Sequence, residues 1–204
     1  MYSVENGYTV VPLSLDAVES GFVVFRNKSL RKPKRQKETE LLVLPDKWDI
    51  DFFNHRTGEH YTLNNSPLFD WTQSTDERIK YFSGTATYKA EFDIEKCSDI
   101  LISFENIGVM ATVFVNGEEA GTLWTKPYRL NISKSLKAGK NTLEIRVTNT
   151  WRNKIVDKLT NIDPNNKIFL LKYPESNGWT WLPEYGTWLE PSGIWRKVKI
   201  TVLS

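Results

Sequence analysis

Residues 109–117, VMATVFVNG, decide the fold class. The run from Val109 to Val115 is apolar and partly β-branched, which suits the pleated surface of a sheet. It stops at Asn116-Gly117, the dipeptide that best tolerates the positive φ of a tight hairpin turn. The same period of two recurs on either side. Upstream, Ala86, Tyr88, Ala90, Phe92 and Ile94 alternate with Thr85, Thr87, Lys89, Glu91 and Asp93. Downstream, Leu143, Ile145 and Val147 alternate with Glu144, Arg146 and Thr148. Each pattern puts one face inward and the other in water. In the last strand Ile194, Val198, Ile200 and Val202 face the core, while Trp195, Lys197, Lys199 and Thr201 face solvent. Arg196 falls on the apolar side, against the pattern. Only Ser133–Ala138 reads as a helical turn, capped by Ser133 and stopped by Gly139. Many short strands separated by turn signals give an all-β fold, a β-sandwich or barrel.

Composition narrows the function classes. The chain has 204 residues, 40% of them apolar, enough for one large domain with a core. No apolar run approaches the ~18 residues of a membrane helix, and MYSVENGYTV lacks the signal-peptide pattern. The net charge of +2 conceals a division. Residues 26–37, RNKSLRKPKRQK, hold seven of the 27 basic side chains, leaving 20 against 25 acidic ones elsewhere, a net −5. A basic segment without interleaved aromatics in an acidic body is no nucleic-acid surface, and without an apolar anchor it is no membrane tether. It reads as a solvated linker or loop between SGFVVF and ELLVLP. The single Cys97 forms no intramolecular disulfide and reads as an idle or buried thiol.

Three stretches carry a resemblance. SGTATYKAEFDI (83–94), ATVFVNGEEAGTLWTKPYRLNIS (111–133) and AGKNTLEIRVTNTW (138–151) resemble, in order, the sugar-binding domain of family 2 glycoside hydrolases. SGFVVFR (20–26), LFDWT (68–72) and IKYFSGTATY (79–88) are similar to the C-terminal region of family 106 α-L-rhamnosidase-like bacterial enzymes. SGIWRKV (192–198) departs from the rhamnosidase-type ending and is closer to that of family 2. The resemblance implies a galactose-binding-like jelly roll, attached to a catalytic domain in a periplasmic or secreted parent. In such enzymes the acid and nucleophile lie on a separate barrel, and a barrel of about 250 residues has no room here. By the same resemblance Asn149, followed by Trp151, matches an Asn near the sugar site. Its plain alternative is a strand-end residue bonded to backbone.

The sharpest chemical feature is aromatic. Trp179, Trp181, Tyr185, Trp188 and Trp195 fall within seventeen residues, all but Trp195 inside an irregular stretch, 150–193, that reads as functional loops. An indole offers a flat apolar face and one N–H donor, suited to stacking on a pyranose. Glu175, Asn177, Glu184 and Glu190 supply a polar rim. Four exposed indoles would present roughly 600–1,000 Å², more than a soluble monomer leaves bare. The core, a parent domain or a sugar must therefore cover most of them, and Trp188 or Trp181 is expected to line a groove at one end of the sandwich. Glu184 and Glu190 are candidates for a glycosidase pair, with nothing in their surroundings to raise a pKa. Asp46, Asp49, Asp51 and Asn54 have the oxygen chemistry of a calcium site, although Trp48, Ile50 and Phe52 between them read as a strand with acidic outer positions. His55, Glu59 and His60 fit no zinc spacing. No cofactor is expected.

The reading that follows places N-terminal strands and a basic linker in residues 1–40, adding to the main sheet or ending a preceding β domain. Residues 41–204 form the sandwich. The function expected is a non-catalytic carbohydrate-binding or accessory module that packs on a catalytic domain and shapes its sugar site. The rivals are a small stand-alone glycosidase or lyase, and a protein-interaction sandwich without sugar affinity.

Overall fold

The computed structural model describes residues 2–13, 15, 20–25, 38–95, 99–162 and 189–203, with the side chains of 159–162 excepted. The basic run 26–37, Cys97, Glu175, Asn177, Trp179, Trp181, Glu184, Tyr185 and Trp188 lie outside the described residues. The elements are β1 (Ser3–Glu5), β2 (Tyr8–Val10), β3 (Glu38–Val43), β4 (Lys47–Phe53), β5 (His60–Pro67), α1 (Glu77–Lys80), β6 (Thr85–Ile94), β7 (Ile100–Gly108), β8 (Met110–Val115), β9 (Glu118–Leu123), β10 (Arg129–Asn131), β11 (Gly139–Thr148), α2 (Arg152–Ile162) and β12 (Gly193–Leu203).

Two antiparallel sheets form a jelly-roll sandwich. One has six strands in the order β5-β4-β6-β11-β8-β9, the other four in the order β10-β7-β12-β3. Period two in the sequence becomes the core directly: Ile50, Phe52, Ala86, Tyr88, Val113, Ile145 and Val147 of the first sheet are fully buried with Ile100, Ile102 and Ile200 of the second. The Asn116-Gly117 turn joins β8 to β9 with φ of 53° and 83°, the left-handed pair such a turn demands. Glu38–Glu40, assigned above to the N-terminal piece, lie in β3, whose neighbour in the sheet is β12. By contrast, β1 and β2 pair only with each other.

Arg196 resolves its conflict through backbone. Between Trp195 and Val198 the pairing of β12 with β7 shifts register, and Arg196 takes a φ of 70° and is exposed. The extra residue of this irregularity re-aims the chain, so a charged side chain at an inward position reaches water. Trp195 is half-buried, and with the Asn106 amide turned to receive it, its indole N–H donates to Asn106 Oδ1 at 3.2 Å.

Two local expectations need correction. The turn at Ser133–Ser135 is 3-10, but Ser133 does not cap it. Its hydroxyl instead accepts from the Ile100 N–H at 2.7 Å, tying the turn to β7. And 150–193 is not irregular throughout, because Arg152–Ile162 is helical. The buried face of that helix carries Asn153 beside Val156, so a polar residue stands where an apolar one would have signalled the period.

Candidate functional site

At one end of the sandwich four segments meet: the turn 54–59 after β4, the segment 68–84 containing α1, residues 149–154 entering α2, and residues 189–193 entering β12. Polar side chains stitch them together. Asn149 Nδ2 donates to Phe82 O at 2.8 Å and to Ser192 Oγ at 3.0 Å, while its Oδ1 accepts from Gly84 N at 2.9 Å. Asn153 forms a reciprocal pair with the backbone of Glu190, accepting from its N–H at 2.7 Å and donating to its C=O at 2.9 Å. Ser192 Oγ in turn donates to Glu190 O at 2.8 Å. Asp70 Oδ1 accepts from Thr72 N, Thr72 Oγ1 and Ser192 N at 2.9–3.0 Å. Across the cluster, Lys154 Nζ donates to Glu59 Oε1 at 2.9 Å, and the buried Asn54 donates to Ser83 O at 2.7 Å.

Beneath these bonds lies an aromatic plug. The rings of Phe52, Trp71 and Phe82 pack edge to face with centroids 5.1–5.7 Å apart. Contacts of this kind add about 0.5–1.5 kcal/mol each beyond area burial. Trp71 Nε1 donates to the Tyr88 hydroxyl at 2.8 Å, and Gly193 lets β12 pass so close that a Cβ there would sit 2.2 Å from Trp71 Nε1.

The sequence candidates fall into distinct settings. Asn149 is a cross-link whose amide hydrogens are both spent on protein. Glu190 is half-buried and its carboxylate accepts from the Thr150 hydroxyl. Trp151 stands 42% exposed at the rim, with the Arg56 guanidinium 5.4 Å from its ring centroid. Asp49 and Asp51 point outward from β4 toward Asn65 N and His60, whereas Asn54 is buried and accepts from Arg56 N and Thr57 N. Asp49, Asp51 and Asn54 thus serve separate partners. His60 pairs with Asp51 at 2.5 Å, and His55 and His60 both stand edge-on to the Phe53 ring. Asp70, Asn153, Ser192 and the Lys154–Glu59 pair escaped the sequence reading. They sit far apart in the chain with no spacing to announce them.

The chemistry available follows from these bonds. A general acid needs a carboxyl whose pKa is raised by apolar surroundings. Here the Lys154 hydrogen bond, aided by Thr57, outweighs partial burial and holds Glu59 below the ordinary glutamate value. Asp70 and Glu190 act as acceptors for backbone and hydroxyl groups. The described part of this end is built to hold loops and to present Trp151 and Arg56.

Comparison with known proteins places this architecture. The profile of the glycosyl hydrolase 2 galactose-binding domain-like family matches residues 60–196, which contain all three stretches of the family 2 resemblance. The rhamnosidase from Novosphingobium sp. PP1Y superposes with a TM-score of 0.75 at 34% identity, over 98% of this chain and 19% of that one. A putative beta-glucuronidase of Formosa agariphila is 34% identical over 123 residues, 56% of this chain and 10% of its own length. A b-glucuronidase from Ruminococcus gnavus in complex with C6-substituted uronic isofagomine shares the fold, with a TM-score of 0.53 at 18% identity over 85% of this chain and 30% of that one. The chain therefore spans a third or less of each of these proteins. By sequence and by fold alike, it belongs to the galactose-binding domain-like family of glycosyl hydrolase 2.

Proposed function

We propose that the chain is a non-catalytic accessory module of a larger glycoside hydrolase, seated on its neighbouring domains by an N-terminal arm, with the cross-linked end facing the sugar site. The arm carries this reading. Between Val4 and Phe25 nine large apolar side chains among the described residues are exposed, including Tyr8 at 76% and Phe22 at 95%. A two-stranded hairpin has marginal stability alone, and β1 and β2 pair with neither sheet. So much bare apolar surface on one short segment marks an interaction site. That this chain matches a rhamnosidase over nearly its whole length, yet accounts for only 19% of it, supports a neighbour within the same polypeptide.

The remaining surface suits a supporting role. At the loop end, Asp70 holds backbone, Glu190 a hydroxyl and Glu59 the Lys154 ammonium, and the exposed Trp151 offers a stacking face. Alone, the chain should turn over none of a panel of aryl glycosides. Mixed with the separately expressed remainder of the enzyme it should co-elute on size exclusion, and deletion of residues 2–25 should abolish co-elution while leaving the β-sheet circular dichroism intact. Turnover by the chain alone that is lost in Glu190→Gln would overturn the proposal.

A further inference from the structure

The outer face of the six-stranded sheet carries a groove of about 820 Å³, remote from the cross-linked end. That volume lies within the roughly 300–1,000 Å³ of small-ligand sites. Its floor follows from register. Asp49, Lys89, Glu144 and Phe114 stand opposite one another on β4, β6, β11 and β8. Arg146, two residues along β11 from Glu144, shares their face. The groove is lined by these five with Lys47 and Glu91.

Its charges divide into fixed and free. Arg146 is held twice, its Nε 2.7 Å and its Nη2 2.6 Å from Glu144 Oε1, with the guanidinium 4.4 Å from the Phe114 centroid. Stacked and paired, it loses little freedom on taking a further acceptor. Glu91 is neutralised from the rim by Lys140 at 2.6 Å. Lys47 and Lys89 make no ion pair among the described residues, although Lys89 stands between Asp49 and Glu144 in the register. With the two pairs cancelled, two free ammonium groups face one carboxylate, Asp49, one of whose oxygens already accepts from Asn65 N at 3.0 Å.

The chemistry selects a ligand class. A protein interface needs an apolar centre, and of the two aromatic residues lining the groove Trp48 is buried and Phe114 is already covered by Arg146. A nucleic acid backbone would meet three carboxylates and find no free stacking ring. A hydroxylated ring with one acidic substituent fits both halves: its hydroxyls donate to Asp49 and Glu144, and its carboxylate accepts from lysine and arginine. We infer that this groove binds a saccharide bearing a carboxylate, with Lys89 and Lys47 as its counter-ions and Arg146 as a fixed donor. The inference rests on reading the chain as a module of a carbohydrate-active enzyme.

Calorimetry of the full chain with tetragalacturonate, and with the neutral galactotetraose, tests it. The acidic sugar should bind at least about tenfold more tightly than the neutral one. Lys47→Gln with Lys89→Gln should weaken it by a similar factor, as should raising salt from about 50 to about 500 mM. Trp124→Ala, exposed and away from the groove, should leave it unchanged. Equal affinity for the two sugars, indifference to the lysine substitutions, dependence on Trp124, or no binding would each overturn the inference. Arm-dependent co-elution is a separate readout, so no binding with co-elution intact refutes the groove and leaves the accessory role standing.

Discussion

Tyr88 shows how one side chain can hold both sheets. It is fully buried on β6, and its hydroxyl accepts from Trp71 Nε1 at 2.8 Å and from the Ile194 N–H of β12 at 3.3 Å. Burial pushes the phenol pKa far upward, so it stays protonated throughout the folded protein's range. Replacing Tyr88 with Phe leaves two buried donors unpaired, and the expected loss is about 2–3 kcal/mol of unfolding free energy in urea titration. A loss below about 0.5 kcal/mol would show that water or a shift of β12 satisfies both donors. Alternation alone placed Tyr88 in the core. Its hydroxyl's partners were illegible, because Trp71 and Ile194 are separated by more than a hundred residues.

At the scale of elements, strands were legible and the pieces between them were not. β6, β8, β11 and β12 announce themselves because one face meets the core and the other meets water. The helix α2 hides because its inward Asn153 is committed to the Glu190 backbone rather than to apolar packing. The cross-linked end was likewise only partly visible. Asn149 stood out by resemblance, yet the Phe82, Gly84 and Ser192 it joins could be found only by folding. The Lys154–Glu59 pair ties α2 to the turn after β4 and gives this end a pH dependence. Glu59 has a folded pKa below its unfolded value of about 4.3, so its stabilisation is present above that value and is lost as pH falls through the folded one. The pair is partly exposed and worth about 1 kcal/mol or less. The denaturation midpoints of the wild type and Glu59→Gln should therefore differ at neutral pH and converge once the pH falls below the folded value. A difference unchanged by acid would assign it to shape rather than charge.

Over the whole molecule, charge and apolar surface are separated. The 26–37 segment holds seven positive charges, and the rest of the chain is net negative by five. Just before it lies the arm, apolar and without a core of its own, while the sandwich beyond it has a core extending between both sheets. The sequence reading left SGFVVF either adding to the main sheet or finishing a neighbour. Residues 20–25 are in neither sheet, and the docked arm proposed above takes the second. Amide hydrogen exchange over residues 2–25 tests this most directly, measured in the isolated chain and in the full-length enzyme. Docking on a neighbouring domain predicts rapid exchange in the isolated chain and protection by at least about a hundredfold in the enzyme. Equal, rapid exchange in both would contradict it.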